Sequence, residues 1–135
     1  IIGDGVDRTS LKMRATENVT FFGKLNQQEL AYKLNKMDLL FLPSRSEGFP
    51  KVILEAAACG IPSIAYSDYG AQEWMGNYQN GFVVNDFIDI VDIVKKLEDD
   101  NQLLSNISKG ARSMSLKFDW NLIIKDWEKV INNLK

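Results

Sequence analysis

Leu39-Leu40-Phe41-Leu42 is an unbroken apolar run that ends at Pro43-Ser44. Successive side chains of a strand point to opposite faces, so a strand built from this run is expected to be covered on both faces. The next segment supplies a cover. Pro50, a residue favoured at a first helical position, opens a helix that runs to Cys59 and stops at Gly60, with Pro62 just beyond. Val52, Ile53, Leu54, Ala56, Ala57 and Ala58 leave that helix no polar face, and a helix apolar all round is expected to be buried.

The rest of the chain repeats this alternation. Ile1-Ile2 ends a strand at Gly3-Asp4-Gly5, residues 10–15 give one or two helical turns, and residues 19–22 form a β-branched and aromatic strand stopping at Gly23. Asn26-Gln27-Gln28-Glu29 has the form of a capping box, with Leu30, Leu34 and Met37 following at helical spacing. Short strands are expected at 61–66 and 82–84, with a short helix at 71–75 and a turn at 77–81 between them. Asp86 caps a helix whose Ile90, Val94 and Leu97 share a face. Two further helices follow, the last with Ile123, Trp127, Val130 and Leu134 on a buried stripe. This order predicts a Rossmann-like α/β fold, a parallel sheet with helices on both faces. Ligands of such sheets bind beyond the carboxyl ends of the strands. The loops after Ile2, Phe22, Leu42 and Tyr66 are therefore the expected functional edge.

Composition removes several alternatives. The chain of 135 residues suffices for one domain, residues 1–135, with a real core. It contains no histidine, which excludes His-based acid–base chemistry and His-containing zinc sites from this chain. A net charge of -2 argues against a nucleic-acid binder. The single cysteine, Cys59, permits no intrachain disulfide, which points to a reducing compartment. No segment approaches the ~20 apolar residues that span a bilayer. The chain opens on Ile1-Ile2-Gly3, without an initiator Met and straight into a strand end, so it is expected to be a piece of a longer protein.

Two carboxylates stand where chemistry is expected. Glu55 lies in the middle of the apolar helix, and a carboxylate is seldom buried without a partner. One reading is a structural ion pair with Lys51, one turn earlier, although Lys N-terminal to Glu is the poorer orientation. The other is that Glu55 accepts hydrogen bonds from ligand hydroxyls, its two oxygens suiting a ribose diol. Glu47, in the preceding loop, is either an exposed surface carboxylate or part of the same site. Gly48-Phe49-Pro50 brings the chain sharply into the first helical turn, where unpaired N–H groups and the helix dipole favour an anion. A diphosphate there, a ribose against Glu55 and a sugar toward Glu47 would form one continuous site.

Glu47 and Glu55, eight positions apart within SEGFPKVILEAAACGIP, resemble the E-x7-E motif of the group 1 (family 4) retaining glycosyltransferases of GT-B fold. NVTFFGKL, DLLFLPS, NGFVV and FDWNLIIKDWEKV fall in that family's order and spacing, so the resemblance covers nearly the whole chain. It implies the C-terminal, donor-binding half of a GT-B enzyme. Glu55 would bind the nucleotide ribose and Glu47 would face the donor sugar in the catalytic centre. The amides of Gly48, Phe49, Pro50, Lys51 and Val52, proline contributing its position rather than an N–H, would hold sugar and diphosphate, and Gly23 and Lys24 would lie by the base. Two departures stand out. Only residues 6–18 separate the Gly3-Asp4-Gly5 turn from the next strand, which shortens the intervening helix. Tyr69-Gly70 stands where relatives often carry two glycines.

The implied enzyme transfers a sugar from a nucleoside diphosphate donor to an acceptor with retention. The expected setting is bacterial surface polysaccharide or glycolipid synthesis, in the cytoplasm or at the inner face of the membrane, with peripheral membrane association of the whole enzyme. No metal or other cofactor is expected to be obligatory, and no Asp-x-Asp motif is present. An N-terminal acceptor domain and the first strand of the donor domain are expected upstream of Ile1, and the chain alone is expected to be inactive. The alternatives are a sugar-nucleotide epimerase of the same fold and a non-catalytic interaction module.

Overall fold

Three parallel strands in the order β1-β2-β3 make the sheet: β1 Leu40–Leu42, β2 Ser63–Tyr66 and β3 Gly81–Val84. This is seen in the computed structural model, which describes residues 1–134. Leu40 pairs with Ser63 and Leu42 with Ala65, while Ser63 pairs with Gly81 and Tyr66 with Val84. That register assigns the strand side chains to faces. Ile64, Tyr66, Phe82 and Val84 point to one side, where they pack with Ile90, Ile93 and Leu97 of α4 (Phe87–Asp99) and Ile107 of α5 (Asn101–Leu116). Ala65 points to the other, among Ile53 and Ala57 of α3 (Lys51–Ala58), Ala71, Met75, and Ala111 and Met114 of α5. Helices thus cover both faces of a Rossmann-like α/β sheet, as the alternation predicts.

The chain divides into two compact units, Ile1–Lys33 and Leu34–Lys135. In the first, α1 spans Arg8–Arg14, and residues 19–22 do not form the expected strand. Parallel pairing there is confined to one bridge between Ile2 and Gly23, flanked by bonds from the Phe22 amide to Ile1 O (2.9 Å) and the Gly3 amide to Gly23 O (2.8 Å). Gly3 and Gly23 both hold positive φ, +132° and +73°, which turns the backbone out of the extended path at the point of pairing. The capping box forms as expected: Asn26 Oδ1 accepts from the Glu29 amide (2.9 Å) and Glu29 Oε2 from the Asn26 amide (2.8 Å). It opens α2, Gln27–Leu34, in which Leu34 is buried; Met37 lies beyond the helix end.

Four further expectations need correction. β1 is covered on one face rather than both: Leu40 and Leu42 pack against the cluster on the α3 side, while Phe41 on the other keeps 38% of its surface and edges onto Tyr66. α3 is not buried all round: Ile53, Ala56 and Ala57 are, whereas Val52, Leu54 and Glu55 are half-buried and Lys51 is exposed. In α4 the buried stripe is Ile90, Ile93 and Leu97, with Val94 turned outward. The last helix, α6 (Trp120–Asn132), has no buried residue at all, with Trp127 63% exposed and Val130 and Leu134 exposed too. Of the expected stripe only Ile123 is half-buried, so most of it is exposed.

Candidate functional site

The carboxyl ends of the three strands release loops on the same edge of the sheet. The loop after β1 carries Arg45, Glu47, Gly48 and Phe49 into α3; the loop after β2 carries Asp68, Tyr69 and Gly70; Asn85 follows β3. α3 begins after Pro50, whose φ of -75° and ψ of 102° turn the extended loop into the helix. No side chain caps it. Asp86, Asp100 and Asp119 each accept amide hydrogen bonds at the starts of α4, α5 and α6. The first turn of α3 also contains no acid, and its first residue is Lys51. A cation at the positive end of a helix is the unfavourable arrangement, and a bound anion would relieve it.

Glu55 is half-buried one turn into this helix. Among the described residues it forms no ion pair, with Lys51 or any other cation, and no side-chain hydrogen bond. Both its oxygens are therefore open to an external donor. Glu47 is half-buried in the loop between β1 and α3. Its charge is felt at Tyr69, whose phenol is pushed above its ordinary value first by burial, then by Glu47 and Asp68. The Tyr69 hydroxyl is buried without a hydrogen-bond partner.

Phe49 fixes the loop from its downstream side, with its ring 5.1 Å from Trp74 and 5.3 Å from Phe118, centroid to centroid. Gly70 takes φ +77°, a left-handed conformation that glycine adopts freely, while Tyr69 sits in a 3-10 turn that any residue can form. The structure places Glu47, Gly48, Phe49, Pro50, Lys51, Val52 and Glu55 on one continuous loop and helix. Gly23 and Lys24 belong to the first unit, Gly23 buried and Lys24 exposed. Sequence reasoning missed Arg45, Asp68, Trp74 and Phe118. Phe118 heads the FDW stretch and could have been found through it; nothing local marks the others.

Residues 1–114 match the family model of the glycosyl transferases group 1. The chain belongs to that family. Among relatives, it is 30% identical to N-acetyl-alpha-D-glucosaminyl L-malate synthase of Bacillus anthracis over 138 residues, covering 96% of this chain and 36% of that protein. It is 29% identical to an exopolysaccharide phosphotransferase of Streptomyces coelicolor, covering 99% of this chain and 15% of that one. The structure superimposes on HepE of Anabaena, solved in complex with UDP-glucose, with a TM-score of 0.82 and 25% identity over 98% of this chain and 40% of HepE. The chain therefore adopts the Rossmann-like fold of the GT-B enzymes, and it spans well under half the length of these relatives. No group of three or more His, Cys, Asp or Glu among the described residues is placed to hold a metal ion. No described helix is long and apolar enough to cross a membrane.

Proposed function

We propose that this chain binds the nucleotide-sugar donor of a retaining glycosyltransferase, whose whole protein passes the sugar to an acceptor. The observation that carries the reading is the uncapped start of α3, with Lys51 in its first turn and the unpartnered Glu55 one turn on. The uncapped amides and the helix dipole suit a diphosphate, and the Glu55 oxygens suit the two hydroxyls of a ribose. Glu47 then lies on the side of the sugar. HepE, which shares the fold, holds UDP-glucose, and this supports a nucleotide sugar as the ligand class. Placement in surface polysaccharide or glycolipid synthesis, in the cytoplasm or at the inner face of the membrane, rests on the family resemblance.

In the proposed reaction the bond between the anomeric carbon and the diphosphate oxygen breaks, and the acceptor oxygen bonds to the same face of that carbon. The acceptor proton passes to the departing diphosphate oxygen. Stabilising the growing negative charge on the diphosphate is the work of the α3 amides, which are already oriented before reaction. No obligatory metal is invoked. Glu47 orients the sugar hydroxyls and forms no covalent bond. In the full-length enzyme, Glu47→Ala should retain binding of the bare nucleoside diphosphate and lose turnover. A glycosyl adduct trapped on Glu47 would replace this role with a covalent one, and unchanged turnover would remove Glu47 from the site.

A further inference from the structure

Residues 45–49 form no backbone–backbone hydrogen bond among the described residues, so the loop that carries Glu47 is held by side chains. Phe49 holds it downstream through Trp74 and Phe118. Arg45 holds it upstream. Its Nη1 donates to Asp68 Oδ2 at 2.8 Å and to the Asn85 carbonyl at 3.2 Å, and its guanidinium carbon lies 3.5 Å from the centre of the Tyr66 ring. Tyr66 ends β2, Asp68 lies in the turn that follows, and Asn85 comes just after β3. A single side chain from the β1 loop thus reaches across the carboxyl ends of both other strands. Ser67 Oγ donates to Asn85 Oδ1 at 2.8 Å, which ties those two loops together independently of Arg45.

The Arg45–Asp68 pair is exposed, 56% and 40% by side chain, and an isolated pair of this kind contributes little to stability. Its effect is directional instead. Two bonds from one nitrogen, with the planar guanidinium over an aromatic ring, set one orientation; a lysine ammonium could donate both bonds but has no plane to lay on the ring. Glu47 stands midway between this anchor and the Phe49 anchor.

We infer that Arg45 is a positioning residue for Glu47: its stack on Tyr66 and its bonds to Asp68 and Asn85 fix the loop so that the Glu47 carboxylate meets the donor sugar. This rests on the proposed role of Glu47 at the sugar. Arg45 itself touches no reacting atom.

The test uses the full-length enzyme and whichever of UDP-glucose, UDP-N-acetylglucosamine and GDP-mannose it consumes fastest, with release of nucleoside diphosphate as the readout. Arg45→Ala should lower kcat by roughly 10- to 100-fold, the scale of a small misplacement in a site, with KM, diphosphate affinity and melting temperature little changed. Arg45→Lys should recover only part of the loss, and Asp68→Asn should lie between Arg45→Ala and wild type. The double variant Arg45→Ala/Glu47→Ala should be no slower than Glu47→Ala alone, because both act through one carboxylate. If the two losses multiply, if Arg45→Ala weakens diphosphate binding, or if only the melting temperature falls, the positioning role is wrong. Glu47→Ala with normal turnover, beside a slow Arg45→Ala, would show that the reading of Glu47 itself had failed.

Discussion

The ring of Phe49 packs against that of Trp74 at 5.1 Å with the planes inclined by 54°, joining the loop that enters α3 to the segment after β2. Phe118 closes the cluster from the end of α5. Phe49 is still 41% exposed, so its loss should cost less than that of a fully buried ring. Phe49→Ala is expected to lower stability by about 1–2 kcal/mol, and Phe49→Leu by less. Denaturant midpoints at unchanged slope measure this directly. A loss within error would mean that the cluster does not hold the loop.

Gly110 in α5 sets two effects of opposite sign against each other. Alanine is a better helix former by about 1 kcal/mol, which alone would make Gly110→Ala stabilising. A Cβ at Gly110 would, however, overlap the carbonyl of Gln79, a backbone atom that cannot rotate away. The steric term should win, with a net loss of about 1–3 kcal/mol, the usual range for overpacking. A variant as stable as wild type would show that the 77–81 turn can move off the helix.

Tyr69 should make alkaline stability depend on pH. Burial, then the charges of Glu47 and Asp68, hold the phenol in its neutral form, so its folded pKa lies above the unfolded value of about 10. The stabilisation is fully present below the unfolded value and is lost as pH rises through the folded one. Below that range, Tyr69→Phe removes a buried hydroxyl without a partner, and should leave stability unchanged or raise it by about 1 kcal/mol. The variant should lack the alkaline loss. Parallel stability curves for the two proteins between neutral pH and pH ~11 would contradict this.

What was legible in the sequence was local. The capping box of Asn26 and Glu29 and the cap at Asp86 form as read, because each involves residues three apart within one turn. The strands at 40–42, 63–66 and 81–84 follow from short apolar runs between turn residues. Misreadings arose where burial depends on a distant partner. Apolar spacing alone could not distinguish Ile93 from Val94 as the inward residue of α4, nor show that most of the stripe of α6 is exposed. Residues 19–22 have strand composition; the Ile1 amine donates to Thr20 O and the Phe22 amide to Ile1 O, yet the pairing amounts to one bridge. In the candidate site, Glu47 and Glu55 could be proposed from a spacing of eight. Arg45, by contrast, meets Asp68 and Asn85, 23 and 40 positions away, and only the sheet order joins them.

The most direct measurement is the affinity of the full-length enzyme for UDP and GDP, by calorimetric titration of wild type and Glu55→Gln. The substitution keeps the shape of the side chain and replaces charge-assisted hydrogen bonds to the ribose with weaker neutral ones. With about 1–2 kcal/mol at stake, affinity should fall by roughly 10-fold for the nucleotide that wild type binds. The melting temperature should stay unchanged, since Glu55 forms no ion pair among the described residues. Equal affinity of the two proteins, or no binding of either nucleotide by wild type, would contradict the donor site at the start of α3.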